Sequence, residues 1–121
     1  MPKILVCGGR DFTDRDLVFK TLDAVARKHG TKKLAIIHGA CPSGADKFAE
    51  DWAKEREVAY IGVPARWKDE GLSAGPIRNK RMRDTTSPDH CIAFSGGDGT
   101  RGMIALMREI GIEPWLVGWS E

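Results

Sequence analysis

Apolar residues gather in five short runs along the chain, and segments of helical periodicity separate these runs. Each run is bounded by glycine or proline or by polar residues: KILVCG (3–8), LAIIHG (34–39), VAYIGV (58–63), CIAF (91–94) and EPWLVG (113–118). Continuous apolar runs of this length are typical of strands that are buried on both faces of a parallel sheet. We therefore predict five strands.

The segments between the runs predict four helices, because their apolar residues recur at spacings of three and four. Thr13 and Asp16 resemble a capping box at the start of the first helix, and Gly30 suits its end. The four predicted helices cover residues 13–30, 44–57, 74–86 and 100–111.

Strands that alternate with helices predict an α/β fold, since right-handed crossovers place parallel strands in one sheet with helices on both faces. A chain of 121 residues suits one domain. We predict a single Rossmann-like doubly wound domain over residues 1–121, with a parallel sheet of about five strands. Ligands in such sheets bind beyond the carboxyl ends of the strands, where the strand order reverses.

Composition narrows the function classes only slightly. The net charge of +2 is weak support for nucleic-acid binding. No run approaches the roughly 20 apolar residues of a membrane span, and no signal peptide is visible. The three cysteines have no metal-ligand spacing, so we expect no metal site, no disulfide framework and a cytoplasmic protein.

Glycine clusters follow three of the predicted strands: CGGRDFTD (7–14), HGACPSGAD (38–46) and FSGGDGT (94–100). In a parallel sheet all three lie at one edge, and each leads into a helix N-terminus, which favours anions. Tight turns alone would also explain glycine here, but three such loops favour a phosphate ligand. The predicted contacts are Gly8, Gly9, Gly39, Gly44, Gly96, Gly97, Gly99 and Thr100.

Two arginines add candidate phosphate contacts. Arg10 can bind phosphate bidentately or pair with a nearby aspartate, Asp11 or Asp14. Arg78, with Asn79 beside it, lies in the first turn of the third helix, where a cation opposes the helix dipole and a bound phosphate would offset that.

Two further side chains have open alternatives. Asp46 can accept from a ribose hydroxyl, or it can form a capping box with Ser43. Trp67 can stack on a base, or it can pack its own loop.

These motifs, together with WAKE (52–55) and PARWKDEGLSAGPIRNKRM (64–82), resemble the YspA-like branch of the SLOG superfamily from Ile4 to about Gly111. The resemblance implies a Rossmann-like domain that binds nucleotides or their derivatives, including NAD-like and ADP-ribose-like molecules, as a sensor or processor. It also implies a homo-oligomer, and it requires no cofactor besides such a ligand.

The chain is more distantly similar to the LOG-type phosphoribohydrolases and to DprA proteins, which bind single-stranded DNA. The LOG-type pattern is an arginine before a methionine, then P-G-G-x-G-T-x-x-E. Arg78, Met82 and SGGDGT match, but Ser95 replaces the proline and Met103 replaces the glutamate. This implies that hydrolysis would need a substitute carboxylate.

The candidates for that carboxylate are Asp98, Asp46 and Asp11, although Asp98 also suits a helix N-cap. A nucleophilic Cys41 is a further alternative. No catalytic residue is assigned. The leading hypothesis is therefore nucleotide binding, the alternative is N-glycosidic hydrolysis, and the third is single-stranded nucleic-acid binding by the basic segment 66–83.

Overall fold

The computed structural model describes residues 1–120 and contains one five-stranded sheet in which every strand is parallel to its neighbours. The strand order is β3-β2-β1-β4-β5, so the order reverses between β1 and β4. This confirms the doubly wound α/β fold. The strands are β1 Lys3–Cys7, β2 Ala35–His38, β3 Ala59–Gly62, β4 His90–Phe94 and β5 Trp115–Val117.

Helices cover both faces of the sheet. One face packs against α1 and α2, and the other packs against α4 and α5. A single helical turn, α3, interrupts the long loop after β3 and was not predicted, because residues 67–70 show no apolar periodicity. The helices are α1 Arg15–His29, α2 Gly44–Glu55, α3 Trp67–Glu70, α4 Ala74–Thr86 and α5 Asp98–Glu109.

Successive side chains along each strand point to opposite faces of the sheet, so a hydrophobic core forms on each face. In β1, Ile4 and Val6 face α1 and α2, whereas Leu5 and Cys7 face α4 and α5. Trp52 of α2 is fully buried in the first core. These cores fix the positions of the loops at the carboxyl edge of the sheet.

The prediction that all five strands are buried is wrong for the two outer ones. Tyr60 and Ile61 in β3 are 40% and 45% exposed, and Trp115 and Leu116 in β5 are 52% and 46% exposed. Both strands lie at edges of the sheet, where neighbouring elements cover less of each face. Within residues 1–120, no helix is both long and apolar enough to cross a membrane.

The first helix begins and ends through local contacts. Asp14 is the N-cap, and its side chain accepts from the amide of Leu17 at 3.0 Å, so the predicted capping box of Thr13 and Asp16 is wrong. Gly30 ends the helix as predicted, with φ +89°.

Candidate functional site

The loops after β1, β2 and β4 meet at the carboxyl edge of the sheet, where the strand order reverses. Gly9 joins them: its N–H donates to the carbonyl of Ser95 at 2.9 Å, and its carbonyl accepts from Ala45 at 3.3 Å. The Ser43 hydroxyl donates to the carbonyl of Arg10 at 3.0 Å. These hydrogen bonds therefore hold the three loops together.

Two glycines make this close approach possible. A Cβ on Gly44 would overlap the carbonyl oxygen of Gly9, and Gly44 also has φ +75°. A Cβ on Gly96 would overlap the hydroxyl of Thr100 and crowd the amide of Gly9. Gly44 and Gly96 do not line the cavity described next, so the structure gives them a role in loop packing.

A cavity of about 280 Å³ opens between the joined loops. This volume is close to the lower end of the range for small-molecule pockets, about 300–1,000 Å³. Core side chains such as Val6, Cys7, Met82 and Met103 form part of its wall. Val6 and Cys7 were not predicted as site residues because they lie in an apolar run, whereas Met82 and Met103 lie at positions of the LOG-type pattern. Ten of the twelve predicted contacts line the cavity: Gly8, Gly9, Arg10, Gly39, Asp46, Arg78, Asn79, Gly97, Gly99 and Thr100.

The start of α5 forms one side of this cavity. Its N-cap, Gly97, provides no side-chain cap, and the amides of the first turn have no partner within the helix. A Cβ on Gly97 or Gly99 would meet no atom within 4 Å. Asp98 is exposed, lies outside the cavity wall and makes no cap hydrogen bond, so the N-cap hypothesis for Asp98 is wrong.

Arg78 of α4 lines the same cavity, and two hydrogen bonds hold its guanidinium. Nη1 donates to the carbonyl of Gly39, and Nε donates to Oδ1 of Asn79 at 2.8 Å. Asn79 in turn donates to the carbonyl of Gly99 at 3.3 Å, which connects α4 to α5. Within residues 1–120, Nη2 of Arg78 makes no hydrogen bond.

Asp46 is a buried carboxylate beside Arg78, 6% exposed. Its Oδ2 accepts from the amides of Gly39 at 3.1 Å and Cys41 at 3.4 Å. Burial raises the pKa of Asp46 above its ordinary value, although positive charge nearby opposes this. The capping box with Ser43 is wrong, because the Ser43 hydroxyl bonds to the β1 loop instead.

The structure bears on two catalytic candidates. Cys41 lines the cavity, but burial, followed by the negative charge of Asp46, raises its pKa, which disfavours the thiolate that a nucleophile needs. Asp98 does not reach the cavity, and Met103, 1% exposed, lies there without a carboxylate. Asp46 and Asp11 remain as acidic side chains in the cavity wall.

Arg10 and Trp67 lie at the outer edge of the site. Arg10 is exposed, and within residues 1–120 it forms no ion pair, so pairing with Asp11 or Asp14 is not observed. Its guanidinium carbon lies 6.0 Å from the centroid of the Trp67 ring. Trp67 is 50% exposed, and it therefore does not simply fill the interior of its loop.

A doubly wound sheet with a polar cavity at the reversal of strand order defines a Rossmann-like domain with a candidate ligand site. The sequence comparison then places the chain more narrowly. It belongs to the YspA, cpYpsA-related SLOG family, whose sequence profile matches residues 2–69. The matched segment begins before β1 and ends within α3, so Arg78 and the start of α5 lie beyond it.

Among solved structures, the Moco carrier protein from Chlamydomonas reinhardtii is similar, with a TM-score of 0.67 and 19% sequence identity. The match covers 97% of this chain and 76% of that protein. At this identity the likeness supports the fold alone. A comparison with curated proteins finds no match.

Proposed function

We propose that this domain binds a nucleotide or nucleotide derivative of the NAD or ADP-ribose class, as a sensor or processor of that ligand. One observation carries the proposal. The Arg78 guanidinium is held in place by two hydrogen bonds, its Nη2 has no partner among residues 1–120, and it lines the same cavity as the uncapped start of α5.

These two features together suit a phosphate group. A helix N-terminus offers free amides and positive dipole charge, and a guanidinium offers directed donors for phosphate oxygens. Each charge-assisted hydrogen bond contributes about 1.5–3 kcal/mol. Several of them support a micromolar affinity, about 8 kcal/mol, after the cost of association.

Asp46 favours a nucleotide over inorganic phosphate. A carboxylate repels phosphate, but it accepts hydrogen bonds from ribose hydroxyls. Its Oδ2 already accepts two backbone amides, whereas Oδ1 makes no hydrogen bond within residues 1–120. We place the ribose at Asp46 and the phosphate between Arg78 and Gly99.

Hydrolysis of an N-glycosidic bond is the second candidate, and Asp46 is the observation that favours it. A buried carboxylate with a raised pKa in the cavity wall has the character of an acid–base group. Met103 supplies no carboxylate where LOG-type enzymes have glutamate. Asp46 would have to assume that role, and product analysis decides between binding and turnover.

The basic segment favours nucleic acid less than its sequence indicated. Arg81 pairs with Glu70 at 3.2 Å, and Arg83 pairs with Asp84 at 2.7 Å and with Glu109 at 3.1 Å. These ion pairs reduce the positive charge available to a phosphate backbone. Nucleic acid therefore stays the third candidate.

We also propose a cytoplasmic homo-oligomer, with the exposed Trp115 and Leu116 of β5 in the interface. The indole N–H of Trp119 donates to the carbonyl of Ala93 at 2.9 Å, and this hydrogen bond attaches the segment after β5 to β4. Light scattering during size-exclusion chromatography measures the mass that decides this.

The binding proposal is tested by calorimetric titration of the protein with AMP, ADP-ribose and NAD. Arg78→Met should weaken the binding of every ligand that binds by at least about 10-fold, since it removes charge-assisted hydrogen bonds. Lys80→Met is the matched control, because it removes one positive charge from the exposed side of the same helix. Chromatography of the titrated mixtures detects a released base.

Three outcomes are distinct. Binding that Arg78→Met weakens and Lys80→Met preserves supports the proposed site. Binding that both variants weaken equally indicates a general charge effect and contradicts the site. No heat and no thermal stabilisation with any of the three ligands at millimolar concentration would contradict the function itself.

A further inference from the structure

A second cavity, of about 320 Å³, adjoins the first. The two cavities share four wall residues, Arg10, Gly39, Cys41 and Arg78, so they lie side by side at the carboxyl edge of the sheet. The second cavity is otherwise walled by small, apolar and aromatic residues. These are Ala40, Pro42, Ser43, Pro64, Ala65 and Trp67.

Trp67 is the distinctive member of this wall. It is 50% exposed, whereas Trp52 is fully buried. One edge of the ring rests against α4, since a Cβ on Gly75 would lie 3.6 Å from Cη2 of the indole. A supported ring with a free surface offers stacking area at little cost in side-chain order.

Arg10 adds a second planar group at the same place. Its guanidinium carbon lies 6.0 Å from the centroid of the Trp67 ring, and the side chain has no ion pair within residues 1–120. Arginine stacks on aromatic faces and donates to phosphate or base acceptors. Arg10 therefore lies between the polar cavity and the apolar one.

We propose that the cavity beside Trp67 holds the base of the bound nucleotide, and that the base is a purine. This rests on the function proposed above. The phosphate lies at Arg78 and the start of α5, the ribose lies at the shared wall near Asp46, and the purine stacks on Trp67. A purine is favoured because its two fused rings cover more of the indole than a pyrimidine does.

Calorimetric titration with AMP and with ribose 5-phosphate tests the base subsite separately from the phosphate site. The unmodified protein should bind AMP about 5- to 150-fold more tightly than ribose 5-phosphate, the range expected for one stacked base. Trp67→Ala should remove most of that difference while changing the affinity for ribose 5-phosphate by less than about twofold. Trp67→Phe keeps an aromatic face and should retain most of the preference.

Other results of these titrations would contradict separate parts of the proposal. Equal affinities for AMP and ribose 5-phosphate in the unmodified protein contradict the base subsite and leave the phosphate site intact. A Trp67→Ala variant that keeps the full preference for AMP places the base elsewhere. Tighter binding of UMP than of AMP contradicts the purine. Binding of neither compound by the unmodified protein contradicts the proposed function, and the base subsite with it.

Discussion

Replacement of Gly99 by alanine separates the needs of the fold from the needs of a ligand. Gly99 is in the first turn of α5, its φ is not positive, and a Cβ there would meet no atom within 4 Å. Alanine at such a position stabilises by about 0.4–1 kcal/mol, because it restricts the unfolded chain. The entropy of unfolding for this length is about 0.25 kcal/mol/K, so the melting temperature should rise by roughly 2–4 °C.

Ligand binding should change in the opposite direction. Gly99 lines the cavity, and we expect a methyl group there to hinder the approach of a phosphate oxygen to the first-turn amides. The loss of one charge-assisted hydrogen bond costs about 1.5–3 kcal/mol, which corresponds to roughly 10- to 150-fold in affinity. One methyl group should therefore increase stability and reduce binding.

Gly102→Ala is the matched control. Gly102 lies in the same helix, its Cβ would also meet no atom within 4 Å, and it does not line the cavity. Differential scanning calorimetry and titration with AMP measure both quantities for both variants. Equal affinities of Gly99→Ala and Gly102→Ala would refute the placement of the phosphate, and a lower melting temperature for Gly99→Ala would refute the open space assigned to that position.

Three further predictions concern stability. Gly44→Ala and Gly96→Ala should each lower the melting temperature, since overpacking costs about 1–3 kcal/mol; unchanged thermal unfolding would contradict the joined loops. Burial lowers the pKa of His38 below its ordinary value of 6.5, so the free energy of unfolding should fall as pH decreases from 6.5 through the lower pKa of the folded state. Urea unfolding at several pH values should show that this free energy changes less steeply with pH in His38→Asn. Asp23→Ala removes the carboxylate that accepts from the indole N–H of the buried Trp52 at 2.8 Å, and should lower the free energy of unfolding in urea by about 1–3 kcal/mol. An unchanged free energy of unfolding would show that another group accepts this hydrogen bond.

The parts of the fold that depend on local pattern were predictable. The third predicted helix, 74–86, coincides with α4, and each apolar run from 3–8 to 113–118 contains its strand or most of it. Exposure of β3 and β5 was not predictable, because edge and central strands share the same short apolar pattern. Their positions depend on which strands pair, and that information is spread over the whole chain.

The candidate site also has features that could be predicted from the sequence and features that could not. Its position followed from topology, since the carboxyl ends of parallel strands meet at one edge of the sheet. The role of Asp46 did not follow, because Ser43 and Asp46 have the spacing of a capping box. A contact between Ser43 and the carbonyl of Arg10 decides against the box, and Asp46 accepts from the β2 loop instead.

The glycines show why sequence letters alone could not separate ligand contacts from packing. Gly44 and Gly96 are required by the backbone of a neighbouring loop, so their identity is explained without a ligand. Gly97 and Gly99 are open, but openness by itself is not evidence for binding, because Gly102 is equally open away from the cavity. Gly97 and Gly99 differ from Gly102 because they line the cavity at the uncapped start of α5. The fixed guanidinium of Arg78 lines the same cavity. A phosphate ligand is inferred from these features together, and the difference in AMP affinity between Gly99→Ala and Gly102→Ala tests it directly.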